Sequence, residues 1–365
     1  MIQAQVPIAR PLLGAEEEAA VIEVLRSGRL AQGARVSAFE AAFARIAGAD
    51  HAVATSNGST ALELALRACG VGPGHEVITS PLTFIATANA IVHAGATPVF
   101  ADVDDSLNLD PAAVERCAGP RTKAILPVHL HGNPCDLDAL AGIARRRGLL
   151  LIQDACQAVG ATVHGRALGA FGTAAYSFYA TKNITTGGEG GTVATSDDDV
   201  AAFCAGMRHQ AYAANGGYVH EAIGHNFRMT EIQAAIGLCQ LARLEQVTEA
   251  RRANAAFLDR AIDPERFPRP RTLPGHRHVY HQYVVRIPRR AGLDRRAVQE
   301  ELSRQGVSSA VHYPVPVHRQ PAYRGLTSAA LPRAEAAAEE ILSIPVHPAL
   351  TRADLEQVAE AFRNL

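Results

Sequence analysis

Apolar residues along this chain follow two rhythms. Near the N-terminus, Gly14 to Ser27 and Val36 to Ala47 carry them at helical spacing, with Phe39, Phe43 and Ile46 on one face. From His51 onward, short continuous apolar runs alternate with helix-patterned segments. HAVATS reads as a strand and Ser59 to Ala68 as a helix. Glu76 to Ser80 is a strand, and Phe84 to His93 a helix. TPVFADV is followed by a short helix from Pro111 to Cys117, KAILPVHL by a helix from Leu137 to Arg147, and LLLIQDA is again a strand. Strands apolar on both faces, separated by helices, predict an α/β fold with a mostly parallel sheet flanked by helices. Ala175 to Thr195, AYSFYATKNITTGGEGGTVAT, reads as a strand, a glycine-dense turn and a second short strand.

The pattern then changes. Thr230 to Arg260 reads as one long helix or two, and a proline-rich segment, Pro264 to Pro274, follows it. The remainder (YHQYVVRIP, a helix from Asp294, SSAVHY, and two helices near Ala334 and Asp354) has the look of a small α+β domain. The expected division is a large domain over residues 1–245, with the N-terminal helices as an extension, and a C-terminal α+β domain over 246–365. A length of 365 residues accommodates both.

Composition narrows the function classes. Hydrophobic content of 48% with 19% charged residues describes a folded globular chain. A net charge of −1 and the lack of an arginine block with interleaved aromatics give no footing for nucleic acid. The six cysteines are scattered, most of them in apolar runs, and read as reduced thiols. Fifteen histidines form no cluster at metal-ligand spacing, so no metal is expected. No run reaches membrane-spanning length and MIQAQVPIAR lacks a signal-peptide core, so the expectation is a soluble, cytoplasmic protein.

Of 35 basic residues only Lys123 and Lys182 are lysines, which leaves 33 arginines. Guanidinium stays protonated, whereas an ammonium can lose its proton and attack a carbonyl. Lys182, beside the glycine turn, is therefore the candidate for a Schiff base with an aldehyde cofactor, against the plain alternative of a surface lysine. Residues at the carboxyl ends of the strands are the ones to test with it. In TSNGSTALEL, Ser59 and Thr60 open a helix and offer hydroxyls and amides to a phosphate, although Ser59 reads equally as an N-cap. Asp154 ends an apolar strand, where a carboxylate needs a partner; a protonated pyridine nitrogen would serve, and so would the cap of the next turn. Gln157 could reach a ring hydroxyl, and Phe84 could stack on a flat ring or simply pack in the core. Ser177 could donate to the same phosphate as Ser59 and Thr60. Asn226 and Arg228, ahead of a long helix, offer further donors, with a helix cap as the other account of Asn226.

Taken in order, these pieces describe a pyridoxal-phosphate site. The sequence resembles the DegT/DnrJ/StrS family of sugar aminotransferases, of aspartate-aminotransferase-like (fold type I) architecture, over essentially the whole chain. The resemblance rests on SNGSTALELAL, GHEVITSPLTFIATANAI, GATPVFADVD, QDACQAVGA, SFYATKN with GGEGG, GHNFRMTEIQAAIGL and HYPVPVHRQPAY. It implies pyridoxal 5′-phosphate bound to Lys182, with Asp154 on the pyridine nitrogen, Gln157 on the ring hydroxyl and Phe84 on the ring face. Gly58, Ser59, Thr60 and Ser177 would hold the phosphate. It implies a homodimer in which Asn226 and Arg228 reach into the partner's site, and it places Tyr179, His312, Tyr313 and His318 near the sugar substrate.

Three positions depart from the commonest family pattern: Gln153 where an acidic residue often stands, Phe84 where Tyr or Trp is also used, and TTGGEGG with one extra glycine. Lys182 argues against a dehydratase branch that carries His instead. The implied reaction is a two-stage transamination, from glutamate through a pyridoxamine-phosphate form to a keto sugar attached to a nucleotide. TTGGEGG leans toward members acting at the sugar 4-position, Gln157 and HYPVPVHRQPAY toward the 3-position. A keto-cyclitol transaminase of an aminoglycoside pathway, an elimination lyase and a non-catalytic regulatory member that binds the cofactor are the alternatives. The last is disfavoured by the intact Lys182, Asp154 and phosphate cradle.

Overall fold

The computed structural model describes residues 5–213, 218–288, 292, 294–325 and 330–365. Two helices, α1 (Ala15–Ser27) and α2 (Ala34–Ala47), precede the alternating region. That region runs β1 (His51–Thr55), α3 (Gly58–Ala68), β2 (Glu76–Thr79), α4 (Ala86–His93), β3 (Thr97–Phe100), α5 (Pro111–Cys117), β4 (Thr122–Leu126), α6 (Leu137–Arg147) and β5 (Leu150–Asp154). Next come two-residue strands β6 (Thr162–Val163) and β7 (Arg166–Ala167), then β8 (Thr173–Ser177), β9 (Gly191–Thr195) and α7 (Asp198–Met207). The chain continues through α8 (Glu231–Ala242), α9 (Leu244–Ala261), β10 (His276–Arg277), β11 (Tyr283–Arg286), α10 (Arg295–Arg304), α11 (Pro332–Glu340), β12 (Ile341–Ile344) and α12 (Arg352–Arg363).

Seven strands form the main sheet in the order β1-β9-β8-β5-β4-β2-β3. Only β9 runs against the others, antiparallel to both β1 and β8, so the sheet is mostly parallel, as the apolar runs predict. Successive strand residues point to opposite faces, and the pairs Val53/Ala54, Val77/Ile78, Ala124/Ile125, Ala174/Ala175 and Val193/Ala194 divide between two cores. One core holds Phe39 and Phe43 of α2 and Leu140 of α6. The other holds Leu62 and Leu66 of α3, Ile91 of α4 and Cys204 of α7. A strand buried on both faces cannot alternate polar and apolar residues. That is why these strands read as continuous apolar runs.

The N-terminal helices are tied to α8 by a buried carboxylate. Glu231 accepts from the backbone amides of Gly33, Arg35 and Val36, each at 2.9 Å, which satisfies the amides at the start of α2. A third core gathers Val6, Leu258, Tyr283, Val285, Leu302, Leu342 and Phe362 around the β11–β12 pair. Helix α9 feeds both regions, giving Leu244 to the first core and Leu258 to the third.

Several elements differ from the sequence reading. Helix α4 begins at Ala86, so Phe84 lies just ahead of it. KAILPVHL is a regular strand only as far as Leu126, with one further bridge from Val128 to Asp154, and His129 leads into a short turn that holds His131. The long helical pattern is two helices, broken at Arg243. SSAVHY contributes only a bridge from Ala310 to Ser343. Helix α7 and strand β12 have no counterpart in the sequence reading. β12 follows directly on the Ala/Glu-rich α11, so the helical rhythm masks it.

Candidate active site

The carboxyl ends of β1, β2, β5 and β8 open onto a cleft of about 800 Å³. A groove of about 970 Å³ lies elsewhere, beside α9 and α12, but its walls carry guanidinium–carboxylate pairs such as Arg352–Glu356 and Arg363–Glu360. It presents no convergent chemistry. The cleft does.

After β1 the chain turns into α3 through Asn57, whose Oδ1 accepts from Thr60 N at 3.0 Å while Thr60 Oγ1 donates to the Asn57 carbonyl at 2.8 Å. The N-cap is therefore Asn57 and not Ser59. Ser59 is left exposed in the cleft with no hydrogen-bond partner for its hydroxyl among the described residues. The first-turn amides and the helix dipole add to that hydroxyl an environment suited to an anion. Ser177, at the end of β8, is the opposite wall, and Gly58 lets the two approach. A Cβ at Gly58 would stand 2.7 Å from Ser177 Cβ and 3.1 Å from Cys156 Sγ.

Asp154 closes β5, is only 5% exposed, and is held on both oxygens. Thr87 Oγ1 donates to Oδ2 at 2.6 Å and the Cys156 amide to Oδ1 at 3.1 Å. One turn on, Gln157 is oriented from both ends of its amide. Its Oε1 accepts from His131 N at 2.7 Å, and its Nε2 donates to the Tyr313 hydroxyl at 3.3 Å. Phe84 borders the cleft with 55% of its surface exposed, its ring centroid 5.9 Å from that of Tyr313. A large apolar ring left open inside a cleft is a stacking surface rather than core.

Lys182 follows β8 through a turn in which its amide donates to the Tyr179 carbonyl at 2.9 Å. Burial lowers its pKa from the usual lysine value, partly opposed by Cys156 and Asp154. The neutral amine, the form that attacks a carbonyl, is thereby favoured. Gly188, in the lengthened turn, sits at φ 127°, a conformation that L side chains rarely adopt. This turn brings Glu189 to the cleft edge with Tyr179, which is itself about half exposed.

His312 and Tyr313 also line the cleft. His312 is pushed down to about 4 by burial and by Lys182, and His281 is held well below the ordinary histidine value by burial, Lys182 and Arg251. Both imidazoles are neutral near pH 7. Among the described residues that line the cleft there is no arginine, despite their abundance in the chain.

Three expected site residues do not join this group. His318 is buried away from the cleft, its Nε2 2.9 Å from Glu335 Oε1. Hydrogen bonding from His318 and Arg319 holds that carboxylate down to about 2. The pairing engages Nε2 of the His318 ring, and its buried Nδ1 has no hydrogen-bond partner among the described residues. Asn226 and Arg228 lie on the surface outside this chain's cleft, Arg228 donating to His209 Nδ1 at 2.6 Å.

Sequence reasoning missed Thr83, Thr87, His131, Cys156, His281 and Glu189. Thr83 and Thr87 are spaced four apart beside Phe84, a helical-face signal that was available. His131 and His281 come to the site only through the topology. The departure at position 153 has a local reason. Gln153 is fully buried, donates from Nε2 to the Leu168 and Gly172 carbonyls at 2.9 and 3.3 Å, and accepts from His129 Nε2 at 3.1 Å. His129 Nδ1 is an acceptor here, for the Cys135 amide, so Nε2 carries the hydrogen. A carboxylate could not make the two donations.

The mostly parallel α/β sheet thus opens at its strand ends onto a cleft holding one lysine, whose amine burial shifts toward the neutral form. The model of the DegT/DnrJ/EryC1/StrS aminotransferase family matches residues 11–363, and the chain belongs to that family; it is an aminotransferase. It is 42% identical over 353 residues to the pleiotropic regulatory protein of Geobacillus stearothermophilus, covering 94% of this chain and 93% of that one. It is also 42% identical over 357 residues to the dTDP-3-amino-3,4,6-trideoxy-alpha-D-glucose transaminase of Streptomyces venezuelae, covering 96% and 92%. Among solved structures, S. venezuelae DesV superposes with a TM-score of 0.92 at 40% identity, covering 99% of this chain and 98% of that one.

Proposed function

We propose that this aminotransferase uses pyridoxal 5′-phosphate to move an amino group from L-glutamate to the keto group of a nucleotide-linked sugar, giving an amino-deoxy sugar nucleotide. One observation carries the reading. Lys182, an amine whose charged form is disfavoured by burial, shares a cleft of about 800 Å³ with a buried carboxylate, an exposed Phe84 and the unpartnered Ser59 hydroxyl.

These residues fit the cofactor. When bound, it supplies a carbonyl for amine capture and a cationic ring that accepts electrons from the substrate carbon. Ser59, Ser177 and the free first-turn amides of α3 would hold the phosphate, close-packed because Gly58 has no side chain, while Thr60, whose amide and hydroxyl hydrogens both go to Asn57, shapes the turn. Asp154 would pair with the ring nitrogen, and Phe84 would offer a stacking face. Gln157, its Oε1 already taken by His131 N, offers Nε2 to the ring hydroxyl. Lys182 would hold the cofactor's carbonyl through its amine and, when that amine is free, would serve as the base that holds and moves the substrate's proton. Tyr179, His312 and Tyr313 form the substrate side of the cleft.

The negative charges of a nucleotide diphosphate and of glutamate find no arginine in this wall. Asn226 and Arg228 of a second copy would supply donors there, in a homodimer whose sites are completed across the interface. Tyr218, Val219 and Ile223, exposed by 86%, 53% and 91%, give that same segment an apolar surface to cover. The names of its relatives support the sugar nucleotide as acceptor; one is called a pleiotropic regulatory protein, but Lys182, Asp154 and Ser59 together in the cleft favour catalysis here.

The test is to load the protein with pyridoxamine phosphate and offer 3-keto and 4-keto nucleotide sugars and scyllo-inosose, following loss of the pyridoxamine absorbance. Consumption by a nucleotide sugar is expected. Consumption by the cyclitol alone would transfer the assignment to the keto-cyclitol reaction, and no consumption at all would end the sugar reading.

A further inference from the structure

We propose that Thr87 is the positioning residue for Asp154: it fixes the carboxylate toward the ring nitrogen through a two-hydroxyl chain that begins at Thr83. This rests on the cofactor assignment above and adds a role for two residues of the cleft that the assignment leaves without one.

Thr87 lies in the first turn of α4 and lines the cleft with no exposed surface of its own. A buried hydroxyl is unfavourable unless it is bonded. Thr87 has one hydrogen and three acceptors in range, the Asp154 Oδ2 at 2.6 Å, the Thr83 hydroxyl oxygen at 2.8 Å and the Phe84 carbonyl at 3.2 Å. The shortest contact, to the only charged acceptor, takes the hydrogen, since charge-assisted bonds are the shorter and stronger ones. Thr83 Oγ1 stands 2.8 Å from Thr87 Oγ1. With the Thr87 hydrogen committed to Asp154, Thr83 must be the donor in that pair. The two hydroxyls therefore point in series at one carboxylate oxygen, and each bond polarises the next. The other oxygen, Oδ1, takes the Cys156 amide. Asp154 is thus clamped from α4 on one side and from its own turn on the other. Each oxygen retains a further lone pair for the ring.

Thr87 also shares its turn with Phe84, so one segment sets both the ring's stacking face and the carboxylate at its edge. Valine has nearly the shape of threonine and lacks only the hydrogen bond, which makes Thr87→Val the informative change and Thr87→Ser its rescue. Hydrogen bonds to charged groups contribute roughly ten- to a hundredfold in an equilibrium constant. The dissociation constant for pyridoxal phosphate should rise by about tenfold in Thr87→Val and recover in Thr87→Ser. The ring-nitrogen ¹⁵N resonance of labelled cofactor should move toward the unprotonated position in the Val variant alone. In an Asp154→Asn background the Thr87→Val change should have little further effect on affinity, because the group it acts through is gone.

An unchanged ¹⁵N shift in Thr87→Val, or an equal loss of affinity with and without Asp154, overturns the proposal by making Thr87 a packing residue. If the unaltered protein binds no pyridoxal phosphate, the cofactor assignment falls, and this proposal falls with it. If the unaltered protein binds the cofactor and only the Thr87 results fail, the functional reading stands without it.

Discussion

Gly58 and Ser177 meet at the floor of the cleft so closely that a Cβ on the glycine would lie 2.7 Å from the serine Cβ. One residue opens α3 and the other ends β8, so this contact fixes the helix N-terminus against the sheet where the phosphate is assigned. Gly58→Ala should separate them. Overpacking of this kind costs about 1–3 kcal/mol, and the cradle should loosen with it. The expected result is a lower melting temperature together with weaker cofactor binding. Wild-type affinity in Gly58→Ala, measured by titration with pyridoxal phosphate, would mean that the phosphate sits elsewhere.

Phe84 makes the opposite case, a large side chain with little structural duty. It is 55% exposed, so Phe84→Ala should leave stability within about 0.5 kcal/mol of the parent. Its loss should still weaken the cofactor by about 0.5–1.5 kcal/mol, the usual range for aromatic contact, or roughly two- to tenfold in dissociation constant. Calorimetry and a melting curve on the same variant separate the two effects. A large drop in melting temperature with unchanged affinity would return Phe84 to the core.

Much of this was legible in the chain. The main sheet announced itself because buried parallel strands are apolar on both faces, and Pro111 with Asp110 before it marked the start of α5. Lys182, Asp154, Phe84 and Gln157 were visible because each sits at a strand end or turn where its residue type is out of keeping with its neighbours. The fate of His318 was not visible, since its partner Glu335 stands 17 positions further on, in the first turn of α11. The hydroxyl chain from Thr83 to Asp154 was equally hidden, because it joins the start of α4 to the end of β5, with Thr87 and Asp154 67 positions apart. β12 was lost for a local reason: its four residues continue an alanine-rich helix without a break.

Buried histidines make the fold sensitive to acid. Burial holds His129, His131 and His312 down to about 4 and His278 to about 3. In the unfolded chain the same groups titrate near 6.5. Between these values the unfolded state binds more protons than the folded one, so stability falls as pH falls. Melting temperature should therefore be flat from about pH 7 to 8 and drop steadily from about 6.5 toward 4, while above about 8 the buried thiols, held protonated in the fold, bring a separate decline. A flat profile down to pH 4 would show these rings to be solvated.

The dimer reading makes a prediction of its own. Arg228→Ala and Lys182→Ala should each be inactive as homodimers, because one lacks the donor it gives its partner and the other its amine. Unfolded together and refolded as a mixture, half the dimers would be mixed, and each mixed dimer would carry one intact site. Activity should return to about a quarter of the parent value. No recovery, with mixed dimers demonstrated by mass, would mean that Arg228 does not serve the partner's site.

The scarcity of lysine makes the central claim open to one clean measurement. Borohydride reduction of the cofactor-loaded protein, followed by peptide mass spectrometry, should place the whole pyridoxyl adduct on Lys182 and none on Lys123, the only other lysine. An adduct on Lys123 or on the N-terminal amine, or no adduct at all, would contradict the assignment of this cleft.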